Sequence, residues 1–235
     1  MIARTLHGRG ARLLVSARRT ELLEQLCSEL GERAEAVPAD LADRDDVARL
    51  AERASGADVL VANAGVPVDG RLDRFTPEEI ARAIDVNLHA PILLARAMTP
   101  GMVECGEGHV VLISSLLGRL TRARASLYSA TKFGVRGFAL GLREDLHDTG
   151  VGVTNVLPGF VRDVGMYVDS GAAPEPGMSS SPQEVADAVV RGIERNEAEI
   201  VVAPAKLRVG AFIATVAPGI GAKMMRRRTR GQGEN

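Results

Sequence analysis

The sequence predicts an α/β domain in which a doubly wound parallel sheet is covered by helices on both faces. Short β-rich runs alternate with longer helical segments, which is the pattern of this class. The 235 residues are enough for one domain with a sizeable core. Hydrophobic residues make up 46% of the chain and charged residues 25%, as is typical of a folded globular protein.

Capping residues mark where the helices of this pattern begin. Thr76 and Ser181 each start a capping box with proline at the first helical position, and Asp43 is followed by Asp46 in the first turn. Thr20 is the predicted cap of the first complete helix, which Gly31 ends. We predict helices beginning near residues 20, 43, 76, 126 and 181, and strands at residues 13–17, 34–38, 59–62, 109–114, 151–157 and 199–203.

Two stretches depart from the alternation of strands and helices. Residues 160–181 are rich in Gly, Pro, Ser and Met without periodicity, so we predict a long loop that covers a substrate. Residues 1–7 have the pattern of the second half of a helix that ends at residues 8–10. We therefore expect that a strand, a turn and half a helix, on the order of 25 residues, are absent before this point.

Composition excludes several classes of function. A net charge of −1 without a basic face argues against a nucleic-acid partner. Cys27 and Cys105 lie far apart and the four histidines show no ligand spacing, so we predict no metal site and a cytoplasmic location. No signal peptide is recognisable. The apolar stretch 209–222 is broken by Pro218, and we predict a packed helix or a subunit contact. Contact with a membrane surface, together with the following Lys/Arg run, is the alternative.

Tyr128 and Lys132 are the strongest candidates for chemistry, because their spacing of four places both side chains on one helical face. A phenol has an ordinary pKa near 10, and a nearby ammonium stabilises the phenolate. Lowering the phenol pKa to near 7 would take roughly 4 kcal/mol. The tyrosine would then serve as a general acid or base on an alcohol or a carbonyl group. Such a pair alone is weak evidence, since a surface pair has the same spacing.

Further motifs surround this pair. Ser114-Ser115 ends a predicted strand, Ala62-Asn63-Ala64-Gly65 ends another, and Pro158-Gly159 follows a third. Asn87 lies within a predicted helix, where asparagine is a poor helix former. In this order and at these spacings, residues 1–203 resemble a short-chain dehydrogenase/reductase. The resemblance implies a Rossmann-type fold and an oxidoreductase that moves a hydride between a nicotinamide and a carbonyl or alcohol substrate.

The resemblance also assigns catalytic roles. Tyr128 would be the acid/base, and Lys132 would lower its pKa and hold the nicotinamide ribose. Ser115, which has the family spacing that Ser114 lacks, would polarise the substrate carbonyl. Asn87 would position a water in a proton relay to Lys132. A helix kink satisfied by a backbone hydrogen bond is the alternative for Asn87, and it is compatible with the same role.

Cofactor-binding residues follow from the same resemblance. Asn63-Ala64-Gly65 would line the adenosine side, Asp40-Leu41 would contact the adenine, and Pro158-Gly159 would lie beside the nicotinamide. The predicted strand 13–17 ends without an acidic residue and is followed by Arg18-Arg19. A guanidinium suits a 2′-phosphate, so we predict NADP rather than NAD, with solvated loop charges as the alternative.

Two departures from the family pattern stand out. The Thr-Gly-x-x-x-Gly-x-Gly loop and the strand before it are absent, which a late start codon, a truncation or a degenerate relative would explain; we favour the late start. Removing that strand would leave its neighbours unpaired and the cofactor poorly held. Asp163 stands where the family often has a threonine, and an ionised carboxylate there would repel phosphate.

We therefore predict an NADP-dependent oxidoreductase domain over residues 1–203, followed by a C-terminal apolar helix and basic tail over residues 204–235. A non-catalytic scaffold or ligand sensor on the same fold is the alternative that the absent loop suggests. The resemblance also implies a homodimer or homotetramer. The small-residue stretch 133–142, with three glycines, would permit close approach of two helices, or tight packing of that helix on its own sheet.

Overall fold

The structure, a computed structural model, describes residues 1–162, 177–217 and 219. It confirms the predicted α/β class, with helices on both faces of parallel strands. The strands are β1 Leu13–Val15, β2 Ala34–Ala36, β3 Val59–Ala62, β4 Gly108–Ile113, β5 Val151–Pro158, β6 Phe160–Val161, β7 Ser179–Ser180 and β8 Glu199–Val202. The α-helices are α1 Ile2–Gly8, α2 Thr20–Leu30, α3 Arg44–Arg53, α4 Pro77–Ile84, α5 Ala90–Cys105, α6 Ser126–Asp145, α7 Pro182–Arg195 and α8 Ala205–Val216.

The capping predictions fix most helix starts correctly. Thr76 and Ser181 each form a complete capping box, and the Asp43 carboxylate accepts hydrogen bonds from two backbone N–H groups at the start of α3. The prediction for Thr20 is wrong by one position. Arg19 is the extended residue before α2, and no side chain caps that helix.

The parallel strands divide into two main sheets. One sheet has the order β3-β4-β5-β8, and the other consists of β1 and β2 alone. Among the described residues, no strand pairs with the free edge of β3 or joins β1 to it. The two sheets are held together by side chains, since Leu14 of β1 and Val37 just after β2 pack against the core cluster of the larger sheet.

The larger sheet is covered on both faces, as the alternation along β4 shows. Val110 and Leu112 belong to a core cluster with α3, α5 and α6, whereas Val111 and Ile113 belong to a second cluster with α7. Side chains of a strand alternate between the two faces, so a strand buried on both sides reads as a continuous apolar run. Ile2 of α1 packs against the second cluster.

Two predicted elements are corrected by the structure. The long helix predicted after Thr76 contains a five-residue π-helical segment, Asp85–His89, between α4 and α5, and it ends at Cys105. The prediction of a loop over the whole of residues 160–181 is wrong at both ends. There β6 and β7 pair as short parallel strands, with Phe160 opposite Ser179 and Val161 opposite Ser180. Across the described residues, no helix is long and apolar enough to cross a membrane.

Candidate active site

The polar residues singled out in the sequence come together at one edge of the larger sheet. Asn63 follows β3, Ser114 and Ser115 follow β4, and Gly159 follows β5. These strands are parallel, so their carboxyl ends meet at the same edge. Helix α6 brings Tyr128 to this edge, where its phenol hydrogen-bonds the hydroxyl of Ser115.

Lys132 lies one helical turn after Tyr128 and is almost completely buried, with 3% of its surface exposed. Its ammonium lies 5.8 Å from the centroid of the Tyr128 ring. The Nζ atom donates a hydrogen bond of 3.0 Å to the carbonyl oxygen of Ile113, at the end of β4. Burial lowers the pKa of the Lys132 ammonium to about 8. The helix therefore fixes this cation between the phenol and the sheet.

The phenol of Tyr128 is held in its protonated form. Burial raises the pKa of Tyr128 to about 12; the hydrogen bond with Ser115 opposes this, and the negative charge of Asp69 adds to it. Desolvation of the phenolate is the largest influence on this pKa. The lowering of the phenol pKa to near 7 by Lys132 stays a prediction, because it concerns the phenol with an oxidised nicotinamide beside it.

The two adjacent serines have different surroundings. Ser114 is buried, and its hydroxyl donates a hydrogen bond of 2.8 Å to the carbonyl oxygen of Lys132. Ser115 begins a 3₁₀ turn, where its Oγ atom accepts a hydrogen bond of 3.1 Å from the backbone N–H of Leu117. The hydroxyl proton of Ser115 is thereby left for the phenol or for a substrate oxygen. This geometry favours Ser115 for contact with substrate, as the sequence analysis did.

Gly118 makes the arrangement of the two serines feasible. A Cβ atom at this position would lie 2.6 Å from Ser114 Oγ and 2.7 Å from the carbonyl oxygen of Lys132. The 3₁₀ turn can therefore press against α6 only because a glycine ends it. The role of Gly118 could not be predicted from the sequence, since it depends on a contact with a helix that comes later in the chain.

Asn87 occupies the π-helical segment and is 1% exposed. Its Oδ1 atom accepts a hydrogen bond of 2.7 Å from the backbone N–H of Val66, and its Nδ2 atom donates one of 3.0 Å to the carbonyl oxygen of the same residue. The helix irregularity with a backbone partner, given above as an alternative, is therefore present. Asn87 ties the segment after β3 to the helix layer, and the positioning of a water stays a prediction.

A partly buried ionic cluster, which was not predicted from the sequence, lies next to these groups. The carboxylate of Glu199 on β8 accepts hydrogen bonds of 2.7 and 3.0 Å from Arg136 on α6. It is also paired with Arg119, which directly follows the 3₁₀ turn, and accepts a hydrogen bond of 3.2 Å from Asn155. Arg136 lies one turn beyond Lys132. The cluster therefore fixes the turn after Ser115 and the helix of Tyr128 to the same strand.

The charges of this cluster control the ionisation of Glu199. Burial alone would raise its pKa, but the hydrogen bonds and positive charges of Arg136 and Arg119 outweigh burial and lower the pKa to about 2. A charged residue at the start of an otherwise apolar strand was the signal in the sequence that could have indicated this role. Its two partners lie 63 and 80 residues away along the chain, so they could not be identified from spacing.

Of the residues predicted to bind the cofactor, Arg18 and Arg19 follow β1 in the smaller sheet. Arg18 and Arg19 are exposed, and neither guanidinium has a hydrogen-bonded partner among the described residues. The hydroxyl of Ser16, just before them, is buried without a hydrogen-bonded partner. Two free guanidinium groups and an unpaired hydroxyl suit a ribose phosphate, so these residues fit the end of NADP that differs from NAD. The described residues include no glycine-rich turn for the pyrophosphate.

Asp40 is more strongly engaged than the resemblance implied. Its carboxylate accepts hydrogen bonds of 3.0 and 3.1 Å from Arg82 of α4 and one of 3.0 Å from the backbone N–H of Ala42. Burial acts to raise the pKa of Asp40, but these hydrogen bonds and the charges of Arg82 and Arg18 lower it overall. Leu41 packs against the main core cluster. Contact with an adenine, through the backbone of Asp40 and Leu41 or through the Asp40 carboxylate, stays a prediction.

The remaining predicted residues border the site. Asn63 and Ala64 are exposed after β3, and Gly65 is partly buried. Pro158 is buried at the end of β5, and a Cβ atom on Gly159 would lie 3.1 Å from Leu116 and 3.3 Å from Ala203. A glycine at 159 thus keeps the strand end close to the turn of Ser115. Asp163 lies outside the described residues, and no metal-binding group of acidic, His or Cys residues occurs within them.

Comparison with known proteins decides the family to which this site belongs. The statistical model of the short chain dehydrogenase family matches residues 1–174. The chain belongs to the short-chain dehydrogenase/reductase family. It is 34% identical over 209 residues to the ketoacyl reductase HetN of Nostoc, covering 86% of this chain and 73% of that protein.

Solved structures of this family resemble the chain along most of its length. A short-chain dehydrogenase from Sphingobium yanoikuyae in complex with NADPH is 31% identical, with a TM-score of 0.76 over 85% of this chain and 83% of that one. A short-chain dehydrogenase from Streptomyces avermitilis is 27% identical, with a TM-score of 0.80 over 100% of this chain and 93% of that one. The Rossmann-type fold is thereby confirmed, and the chain is a family oxidoreductase that acts on CH–OH or C=O groups with NAD(P).

Proposed function

We propose that this short-chain dehydrogenase/reductase reduces a carbonyl group with NADPH, and that Tyr128 donates the proton. The observation that carries the proposal is the protonated phenol, hydrogen-bonded to Ser115 and one turn from the buried ammonium of Lys132. A phenol with a pKa of about 12 is fully protonated at neutral pH, as a proton donor must be. The same group would accept a proton in the reverse direction.

Each residue then has a defined task. NADPH, when bound, supplies the hydride. Ser115 donates its hydroxyl proton in a hydrogen bond to the substrate oxygen, and Tyr128 transfers its proton to the same oxygen as negative charge develops there. The ammonium of Lys132 stabilises the resulting phenolate, since removing the phenol proton creates an anion beside a buried cation. Asn87 keeps the neighbouring backbone in place through Val66.

A direct assay tests this proposal. The purified chain is incubated with NADPH and a panel of ketones and aldehydes, and the loss of NADPH absorbance is followed. We expect turnover of at least one carbonyl class. A chain that binds NADPH but turns over none of them would contradict the assignment of Tyr128. The substrate class is open, because the residues that would define it include the segment 163–176 outside the described residues.

A second candidate, a non-catalytic scaffold or ligand sensor, is favoured by the separation of the two sheets. Among the described residues, no strand pairs with the edge of β1 away from β2 or with the edge of β3 away from β4, and no glycine-rich turn for a pyrophosphate occurs. Ligand-induced stabilisation separates the two functions, since a bound dinucleotide raises the melting temperature by mass action. A folded chain that neither NADPH nor NADP stabilises would support the scaffold.

The preference for NADPH is proposed to depend on Arg18. Replacing Arg18 by alanine should raise the KM for NADPH roughly 10- to 100-fold, because a charge-assisted hydrogen bond to the 2′-phosphate is lost. The KM for NADH should stay the same. Steady-state kinetics with both cofactors measures this, with Arg12→Ala as the matched control, since Arg12 is exposed just before β1. An equal rise in the KM values for NADPH and NADH would show instead that Arg18 binds a part that both cofactors share.

We propose that two copies pair through α6 and the preceding long helix. Phe133 is 43% exposed on α6, and a methyl group on Gly137 or Gly141 would have no heavy atom within 4 Å. Phe133, Gly137 and Gly141 thus leave part of the surface of α6 uncovered, and the two glycines would let another helix approach it closely. Sedimentation velocity should show a dimer or tetramer that Gly137→Arg dissociates, whereas a monomeric wild type would refute the pairing.

A cytoplasmic location and a domain boundary near residue 203 stay predictions.

A further inference from the structure

Helix α8, which directly follows β8, presents an apolar face to solvent. Val209, Phe212 and Val216 are 59%, 64% and 69% exposed. Their spacings of three and four residues place them along one side of the helix. The opposite side carries Ala211, which is 1% exposed. A packed helix or a subunit contact was predicted for residues 209–222; the described residues leave these three apolar side chains of α8 uncovered.

Cations border this face on both sides. At 100° per residue, Lys206 lies on one flank of the line through Val209, Phe212 and Val216, and Arg208 lies on the other. Both cations are exposed, and α8 contains no carboxylate. A narrow apolar strip between basic side chains is the pattern of a helix that lies in the interface of a bilayer, where long cationic side chains reach the headgroups.

The charge distribution of the whole chain supports the same occupant. Seven of the 29 Lys and Arg residues fall within residues 200–233, and none of the 30 Asp and Glu residues does. Residues 1–199 hold the other 22 basic and 29 acidic residues, so they carry −7 while residues 200–233 carry +7. A nearly neutral protein thus concentrates positive charge in the stretch of its sequence that contains this helix. Anionic lipid attracts such a segment.

We propose that α8 docks this protein on an anionic membrane surface, with Val209, Phe212 and Val216 between the headgroups and with Lys206 and Arg208 on the lipid phosphates. A second copy of α8 is a poorer occupant, because this helix carries Lys206 and Arg208 but no carboxylate that could pair with the same cations of another copy. A nucleic acid would pair with the cations but would leave the apolar strip uncovered. Only a bilayer interface matches both the charge and the apolar surface.

Vesicle co-sedimentation tests the proposal with the full chain. We expect binding to vesicles of phosphatidylcholine mixed with phosphatidylglycerol to be at least about tenfold tighter than to phosphatidylcholine alone, and to weaken as salt is added. The triple variant Val209→Ser/Phe212→Ser/Val216→Ser should weaken binding to the mixed vesicles at least about tenfold. Leu22→Ser is the matched control, since Leu22 is 51% exposed on α2, and it should bind like the wild type.

A second variant and a second measurement keep the outcomes distinct. Lys206→Glu/Arg208→Glu should also weaken binding to the mixed vesicles, while circular dichroism and the melting temperature show that the fold is kept. Equal or absent binding of the wild type to the two kinds of vesicle would overturn the proposal. A triple-serine variant that binds the mixed vesicles like the wild type would also overturn the proposal. So would sedimentation velocity without vesicles that shows the triple-serine substitution dissociating an oligomer, because the apolar face would then bind another copy of the chain.

Discussion

Replacing Tyr128 by phenylalanine should lower kcat for carbonyl reduction by about 10²- to 10⁴-fold and leave the Kd for NADPH unchanged. The change removes the proton donor and keeps the ring, which packs beside a small core cluster of Val68, Ala83 and Leu127. Transition-state stabilisation is therefore lost without loss of binding. Steady-state kinetics gives kcat, and isothermal titration gives the Kd.

The chain offers its own control for this experiment. Ser55 is exposed just after α3 and is none of the site residues named above, so Ser55→Ala removes a hydroxyl to which the proposal gives no role. We expect that variant to retain most of the activity. Undiminished turnover in Tyr128→Phe would refute the proton transfer assigned to this residue. A loss of NADPH affinity in Tyr128→Phe would show instead that the phenol holds the cofactor.

The second large effect is expected at Glu199. Glu199→Gln should reduce the free energy of unfolding by about 2 kcal/mol, because the partly buried guanidinium groups of Arg119 and Arg136 lose their counter-charge. Urea denaturation of both proteins measures the difference. Glu197→Gln is the matched control two residues away, since its pair with Arg191 is more exposed, and we expect it to cost less than about 1 kcal/mol.

The same carboxylate gives the wild type a defined acid sensitivity. The pKa of Glu199 is lowered in the folded state from 4.5 to about 2, so the folded state binds this proton less readily than the unfolded chain. The stabilisation is complete above pH 4.5 and is lost as the pH falls towards 2. Glu199→Gln should lack this part of the pH dependence. If the variant and the wild type were equally stable at neutral pH, the cluster would have no structural role.

Local signals in the sequence predicted most of the fold. The capping boxes at Thr76 and Ser181 start helices because their hydrogen bonds close within four residues. The alternation along β4 predicted a strand but not its partners. The π-helical segment at Asn87 could not be predicted in detail, since that side chain is satisfied by Val66, 21 residues earlier. Interactions between residues that are far apart in the chain produce no repeating pattern in the sequence, so they cannot be predicted from it.

The candidate site divides in the same way. The spacing of Tyr128 and Lys132 correctly placed both side chains on one face of α6. The ionisation of Tyr128 was not predictable, because it depends on burial against other elements rather than on the neighbour one turn away. Glu199 and Arg82 were missed for a related reason, as their partners come from separate parts of the chain.

The separation of the two sheets has a consequence for cooperativity. Arg18 follows the smaller sheet, whereas Tyr128 and Lys132 depend on the larger one. Backbone hydrogen bonds do not link the two sheets in the described residues, so side chains hold them together, and Leu14 and Val37, in and next to the smaller sheet, pack against the main core cluster. Discrimination between the two dinucleotides and transfer of the proton are therefore coupled through side-chain packing in one core rather than through a continuous sheet.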